Sequence, residues 1–305
     1  MLARIACLVL ASCSLAQQPR FQVDVNLVNV TFTVRTARGE LIADLAKEDF
    51  EVFEDGAPHA IKFFARHSDL PLTLGLLLDS SGSQKDFIKS HRRDIQQFLR
   101  DVIEPRDRAF LVCFGNYLRL VSDWTSSVPE FMDALQRYER GARDLPQLGP
   151  PEDRVQGTAF YDALYHAAAQ KLKDVEASRS AVVVFSDGED NSSAHHMLDA
   201  IEAAQAADSP VYSIRYTHRG RLNARNKYGI RVMARISRET GGSDYDAAEG
   251  DMRSAFHQIG TELRSMYELA YVSSNPVRDG AFRKVVVKVN RPGLIVRSKT
   301  GYFAR

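Results

Sequence analysis

The chain has 305 residues, of which 44% are hydrophobic and 26% are charged, a composition typical of a folded globular protein. The formal net charge is +1 and the basic residues are scattered, so overall charge gives no indication of a nucleic-acid-binding surface. The length is sufficient for two domains of ordinary size. After the N-terminus, no stretch is long and apolar enough to cross a bilayer.

The first 16 residues have the pattern of an export signal. Arg4 is followed by a short apolar run at residues 5–11, which is too short for a transmembrane helix. Ser14-Leu15-Ala16 is a small-x-small cleavage site, whereas Leu10-Ala11-Ser12-Cys13 resembles a lipobox that would attach a lipid to Cys13. The two alternatives stay open. Both predict an exported protein that is periplasmic, extracellular or attached to the outer membrane, and a lipid on Cys13 would be its membrane attachment.

Residues 21–68 are predicted to be β-rich and to form the first part of a β-sandwich. Apolar residues alternate with polar ones from Val28 to Val34, as in a strand with one buried face. The strand-like segments 50–53 and 60–64 flank Glu54-Asp55-Gly56, which predicts a hairpin.

Residues 70–268 are predicted to alternate between strands and helices. The continuous apolar run at residues 72–78 is typical of a strand that is buried on both faces. The other predicted strands are 109–114, 117–121, 181–185, 211–216 and 243–245, and the predicted helices are 87–102, 129–138, 159–172, 194–207, 232–239 and 252–267. This order predicts an α/β domain with a doubly wound, mostly parallel sheet flanked by helices.

In residues 269–305 the apolar residues again alternate with polar ones, as in strands, and this segment is predicted to form the second part of the β-sandwich. Residues 284–289 and 294–296 read as strands around the turn Asn290-Arg291-Pro292-Gly293. Neither this segment nor the N-terminal one has enough strands for a sandwich of its own. We therefore expect the two segments to pair, so that the α/β domain is an insertion in one discontinuous sandwich.

Oxygen-bearing side chains occur in three pieces of the chain, two of which directly follow a predicted buried strand. They are Asp79, Ser81 and Ser83 in a D-x-S-x-S run, Thr158 after Gly157, and Asp187 before Gly188. Each has a local alternative, since Ser and Thr cap helices and Asp occurs in turns. All five lie at the ends of predicted elements, however, and the carboxyl ends of parallel strands meet at one edge. Because all the donors are oxygens, they predict a site for Mg²⁺ or Mn²⁺, with Ca²⁺ ranked lower.

The D-x-S-x-S run, the downstream Thr158 and the downstream Asp187 resemble the metal-ion-dependent adhesion site of von Willebrand factor type A domains, over about residues 70–270. The resemblance implies that a carboxylate from a partner protein completes the coordination of the metal. Gln84 stands where this family often has Met or Leu, and is expected to alter the rim of the site but not its ligands. The segment Asp49-Phe50-Glu51-Val52-Phe53-Glu54-Asp55-Gly56, with Tyr302, is similar to a bacterial group of secreted A-domain-related proteins.

The function predicted from these observations is metal-dependent protein binding, as an adhesion or scaffold module that captures an Asp or Glu carboxylate, with residues 188–194 and 218–229 as specificity loops. One alternative is a structural envelope scaffold in which the metal only stabilises loops. Another is a metal-dependent hydrolase, for which Glu189 or Asp190 would be the general base. These two residues are otherwise expected to form a solvated acidic loop. The sequence has no G-x-S-x-G, no H-E-x-x-H and no glycine-rich phosphate loop, so we expect a protein that is not an enzyme.

Overall fold

The computed structural model describes residues 27–66, 70–142, 144–150, 157–175, 178–218, 223–249 and 251–305. The predicted signal segment and Cys13 lie outside these residues. Among the described residues, no helix is long and apolar enough to span a membrane.

The middle of the chain contains both strands and helices, whereas the elements at both ends are strands, apart from a 3₁₀ turn at Lys47–Asp49. The strands are β1 (Leu27–Thr36), β2 (Phe50–Glu54), β3 (Ala57–His59), β4 (Ile61–Arg66), β5 (Leu72–Asp79), β6 (Arg108–Phe114), β7 (Leu118–Thr125), β8 (Arg179–Ser186), β9 (Val211–Arg215), β10 (Asp244–Asp246), β11 (Tyr267–Val272), β12 (Phe282–Val289), β13 (Leu294–Ser298) and β14 (Gly301–Phe303). The helices are α1 (Ile88–Val102), α2 (Val128–Glu139), α3 (Phe160–His166), α4 (Met197–Ala206), α5 (Ala224–Thr240) and α6 (Met252–Arg264). A 3₁₀ turn (Gly82–Phe87) precedes α1, and a π-helical stretch (Ala167–Leu172) follows α3.

The central sheet has six strands in the order β10-β9-β8-β5-β6-β7, and all of its pairings are parallel except that of β7 with β6. Leu76 and Leu78 of β5 pack on one face with α1, α2 and α6. Leu77 packs on the other face with α3, α4 and α5. Because helices cover both faces, every residue of β5 and β8 is buried, which explains their continuous apolar sequences. The predicted doubly wound, mostly parallel sheet is confirmed.

The terminal strands form two four-stranded antiparallel sheets, in the orders β13-β1-β11-β4 and β14-β12-β2-β3. Strands from the two ends of the chain alternate in the first sheet, where Val30 of β1 pairs with Leu269 of β11. In the second sheet they meet at the centre, where Val52 of β2 pairs with Val287 of β12. Residues from both sheets share one apolar core. The predicted insertion of the α/β unit into a sandwich of N- and C-terminal strands is therefore confirmed.

Two local predictions are wrong in part. Asp55 and Gly56, with φ of 49° and 87°, form the expected tight turn, but the strand after it is the short β3. Residues 61–66 instead cross to the other sheet and pair with β11 as β4. In addition, α5 begins at Ala224, because the side chain of Asn223 accepts a hydrogen bond from the backbone N–H of Asn226. The predicted loop 218–229 is therefore helical from Ala224 onward.

Candidate metal centre

The two predicted carboxylate ligands come from neighbouring strands. Asp79 is the last residue of β5, and Asp187 follows the last residue of β8. The two strands are parallel, with Leu78 opposite Phe185, so both chains leave the sheet at the same edge. Parallel pairing therefore brings together two residues that are more than a hundred positions apart in the sequence.

The Asp79 carboxylate is almost completely buried, with 1% of the residue exposed. Its Oδ1 accepts a hydrogen bond from the backbone N–H of Ser81 at 2.9 Å, and its Oδ2 accepts one from the Ser186 hydroxyl at 2.6 Å. Burial and the negative charge of Asp187 raise the pKa of Asp79 to about 7, although these hydrogen bonds oppose the rise. The protein therefore holds two like charges close together in a poorly hydrated place.

The Asp187 carboxylate is also buried and is held by two donors. Its Oδ1 accepts a hydrogen bond from the backbone N–H of Glu189 at 3.0 Å, and its Oδ2 accepts one from the side-chain amide of Gln84 at 2.7 Å. Gln84 is only 1% exposed, so it contacts a predicted ligand from inside the protein and not from the rim that it was expected to alter. Gln84 and Ser186 position the two carboxylates, and sequence reasoning missed both roles. The only signal in the sequence was that each of them is adjacent to a predicted ligand, Gln84 to Ser83 and Ser186 to Asp187.

The three predicted hydroxyl ligands face one open cleft. Ser81, Ser83 and Thr158 all line this cleft, which has a volume of about 850 Å³. The hydroxyls of Ser81 and Ser83 are 3.1 Å apart. Local capping does not account for these residues, because Ser81 makes no side-chain capping bond and the N-cap of α3 is Ala159. The structure therefore places the two carboxylates at one strand edge, and the three hydroxyls on the cleft at that edge.

Thr158 is positioned by the loop that follows Asp187. Its backbone N–H donates to the side-chain oxygen of Asn191 at 2.8 Å. Gly157 has a φ of 149°, and a Cβ at this position would lie 2.5 Å from the same Asn191 oxygen. Glycine before Thr158 is thus required for the close approach of the two segments.

The acidic residues after Asp187 have separate environments. Asp190 accepts hydrogen bonds from the backbone N–H of Tyr161 at 3.0 Å and from the Ser193 hydroxyl at 2.5 Å, so it anchors the loop to α3. The expectation of a solvated acidic loop is therefore wrong for Asp190. Glu189 lines the cleft, and burial together with the charge of Asp187 raises its pKa, whereas Arg225 opposes the rise.

The arrangement fits a hard divalent cation. Two buried carboxylates of like charge would be neutralised by a divalent ion, and three hydroxyls lie at the adjacent cleft. Within the described parts of the chain, no three residues among His, Cys, Asp and Glu are grouped so that they could hold a metal. A site rich in nitrogen or sulfur ligands is thus not found there, and the mixed carboxylate and hydroxyl set is the candidate.

No family model and no curated protein matches the sequence. Among solved structures, the chain is similar to the conserved hypothetical protein BatB from Bacteroides thetaiotaomicron (17% identity, 63% of this chain and 97% of that chain, TM-score 0.46). It is also similar to the SpRpn10 VWA domain (14% identity, 62% and 94%, TM-score 0.39). A third structure is proximal thread matrix protein 1 from the mussel byssus, described with a zinc-occupied MIDAS motif (14% identity, 69% and 50%, TM-score 0.48). The chain spans about half the length of this third protein.

Proposed function

We propose that the chain is a divalent-metal-dependent protein-binding module of the adhesion or scaffold type, which works outside the cytoplasm. The observation that carries the proposal is the buried pair Asp79 and Asp187 beside a cleft lined by three hydroxyls. Two buried carboxylates, of which Asp187 raises the pKa of Asp79, are costly in a structural core, but they suit a site that receives a cation.

In this proposal, Asp79, Ser81, Ser83, Thr158 and Asp187 hold the ion, which is Mg²⁺ or Mn²⁺ in preference to Ca²⁺. The bound cation supplies an exchangeable coordination position for one oxygen of a partner's Asp or Glu. The residues of this chain bind and orient the ion from one side, and the open side of the cleft leaves room for the partner. Residues 188–194 contribute specificity from the neighbouring loop.

The fold is expected to persist without the metal. The two faces of the central sheet and the sandwich each have their own apolar core, and none of these cores depends on the five predicted ligands. This distinguishes the proposal from a scaffold in which the metal only stabilises loops, because removal of the metal should then unfold part of the chain.

A metal-dependent hydrolase is the second candidate, and the position of Glu189 favours it. Glu189 lines the cleft and has a raised pKa, as a general base near a metal-bound water would. The binding proposal predicts that Glu189→Gln retains metal-dependent partner binding. The hydrolase alternative predicts turnover of a bound ligand that this substitution abolishes.

Export is part of the proposal and rests on the N-terminal sequence. Mass spectrometry of the mature N-terminus would identify cleavage after Ala16 or a lipid on Cys13. An intact Met1 would contradict export.

The test of function combines metal and partner binding. Calorimetric titration with Mg²⁺ should show binding to the wild type and none to Asp79→Ala. A partner isolated from envelope extract should bind with Mg²⁺, but should not bind with chelator or to Thr158→Ala. Equal metal affinity in wild type and variant would refute the metal site. Metal binding together with partner binding that is indifferent to metal would mean that the site is structural.

A further inference from the structure

The rim of the cleft carries three cationic side chains from three separate elements. Lys85 lies in the 3₁₀ turn, two residues after Ser83, Arg119 lies at the start of β7, and Arg225 lies in the first turn of α5. All three line the same cleft as Ser81 and Thr158. None of them forms an ion pair with a carboxylate of the described residues. They therefore remain available to a ligand.

Arg119 is held in place by specific contacts of its side chain, and Arg225 is brought to the rim by the packing of its helix. The Arg119 guanidinium donates to the backbone oxygen of Leu145 at 3.1 Å and stacks 4.9 Å from the centre of the Tyr117 ring. The first turns of α5 lie against the Asp187 loop, where a Cβ on Gly188 would be 2.5 Å from the backbone oxygen of Gly229. This close packing brings Arg225 to the rim, where its charge acts on Glu189.

The net charge of the site becomes positive when a divalent metal binds. The lining has three cations and one carboxylate, Glu189, and the Asp79 and Asp187 carboxylates lie at the same edge of the sheet. When these carboxylates are ionised, the three positive and three negative groups balance. A divalent cation leaves an excess of two positive charges, so a loaded site attracts anions more strongly than an empty one.

We infer that the partner segment is an acidic peptide with several carboxylates, one for the metal and others for the rim cations. The inference rests on the proposed function and adds the class of partner to it. A single carboxylate would neutralise only one of the two excess positive charges, and the three cations of the rim come from three separate elements. The half-exposed ring of Tyr117, which is 48% exposed, offers a peptide an apolar contact beside Arg119.

The test compares synthetic peptides that have one central Asp and differ only in four flanking residues, which are either Glu or Gln. Fluorescence anisotropy with Mg²⁺ should show about tenfold tighter binding of the Glu-flanked peptide to the wild type. Arg119→Gln and Arg225→Gln should each weaken that peptide by about threefold and leave the Gln-flanked peptide nearly unchanged. Arg100→Gln, an exposed residue at the other end of α1, is the matched control and should change neither. The preference should shrink as ionic strength rises.

The outcomes separate this inference from the proposed function. Equal affinity for both peptides, or no binding of either to a chain that calorimetry shows to be loaded with Mg²⁺, would overturn the acidic-peptide inference and leave the metal site intact. A preference for Glu that is the same with chelator would overturn the coupling to the metal. An oligonucleotide of equal charge that binds as tightly as the Glu-flanked peptide would also contradict the inference. Loss of Mg²⁺ binding itself would instead be a failure of the proposed function.

Discussion

Among the buried carboxylates of the described residues, Glu54 and the pair of Asp79 and Asp187 form two centres with opposite electrostatics. In the sandwich, Glu54 accepts hydrogen bonds from the hydroxyls of Tyr271 at 2.7 Å, Ser273 at 2.6 Å and Tyr302 at 2.9 Å. Burial alone would raise the pKa of Glu54, but these three donors outweigh it and the pKa is lowered. In the central sheet, burial and the Asp187 charge raise the pKa of Asp79 to about 7.

The difference shows that burial alone does not make a carboxylate functional. Glu54 is satisfied by neutral donors of the protein and joins strands from both ends of the chain, so its role is structural. Asp79 and Asp187 also have donors, but the side-chain donors Gln84 and Ser186 are neutral, and the negative charge of Asp187 acts on Asp79. Such a pair is stabilised by a cation from solution, which is why we assign function to this centre.

The largest expected effect is the loss of metal binding when one charge of the pair is removed. Asp187→Asn should weaken Mg²⁺ by at least about a hundredfold, because a neutral amide replaces a predicted ligand. Glu54→Gln should leave the affinity unchanged. Calorimetric titration of both variants measures this, and equal losses in the two would remove the distinction between the centres.

Glu54→Gln should destabilise the fold by about 2–3 kcal/mol at neutral pH, equally with Mg²⁺ and with chelator, since the amide cannot accept from all three donors. Urea unfolding measures the change, and the exposed neighbour Glu51→Gln is the matched control. A loss that depends on the metal would contradict this assignment.

The stabilisation by Glu54 should also depend on pH, because the pKa of Glu54 is lower in the folded state than in the unfolded state. The stabilisation is fully present above the pKa of the unfolded state, and it is lost as the pH falls through the pKa of the folded state.

The affinity for Mg²⁺ should depend on pH through Asp79. The metal binds the ionised carboxylate, so binding to a chain with an Asp79 pKa of about 7 displaces a proton at lower pH. We expect the affinity to rise by up to about tenfold per unit towards pH 7 and to level off above it. Calorimetry in buffers of different ionisation enthalpy counts the released protons. A flat profile between pH 5.5 and pH 7 would argue against metal binding at this pair.

The smallest effect is expected for Gln84→Leu, which removes the amide that donates to Asp187. In chelator the variant should be less stable by about 1–2 kcal/mol, because a buried carboxylate loses a donor. With saturating Mg²⁺ the loss of stability should be smaller, because the bound ion would partly replace the lost donor to the Asp187 carboxylate. Thermal unfolding in both conditions measures the difference. An equal loss in both would mean that Gln84 acts through packing alone.

Much of the fold could be predicted from the sequence, because the pattern of buried residues is local. The continuous apolar runs predicted that β5 and β8 are buried on both faces, as the structure shows. The alternation from Val28 to Val34 predicted one buried face for β1, and that face is buried, but Thr33 and Arg35 on the opposite face are buried as well. The beginning of α5 was missed because its first turn is polar and solvent-exposed, so apolar residues do not recur there at helical spacing. The partner of β4 was missed because strand pairing at long range has no local signature.

The sequence by itself determined the types of residue available for chemistry, namely two carboxylates and three hydroxyls next to strand ends, and the order of the elements that carry them. Only the tertiary structure decided how these residues are surrounded. The amide of Gln84 and the hydroxyl of Ser186 reach Asp187 and Asp79 from more than a hundred residues away. Likewise, the cations of the rim meet only because α5 packs against the Asp187 loop and β7 pairs with β6. Hydrogen bonding, burial and Coulomb interaction depend on distance in space, which a linear pattern of residue types does not contain.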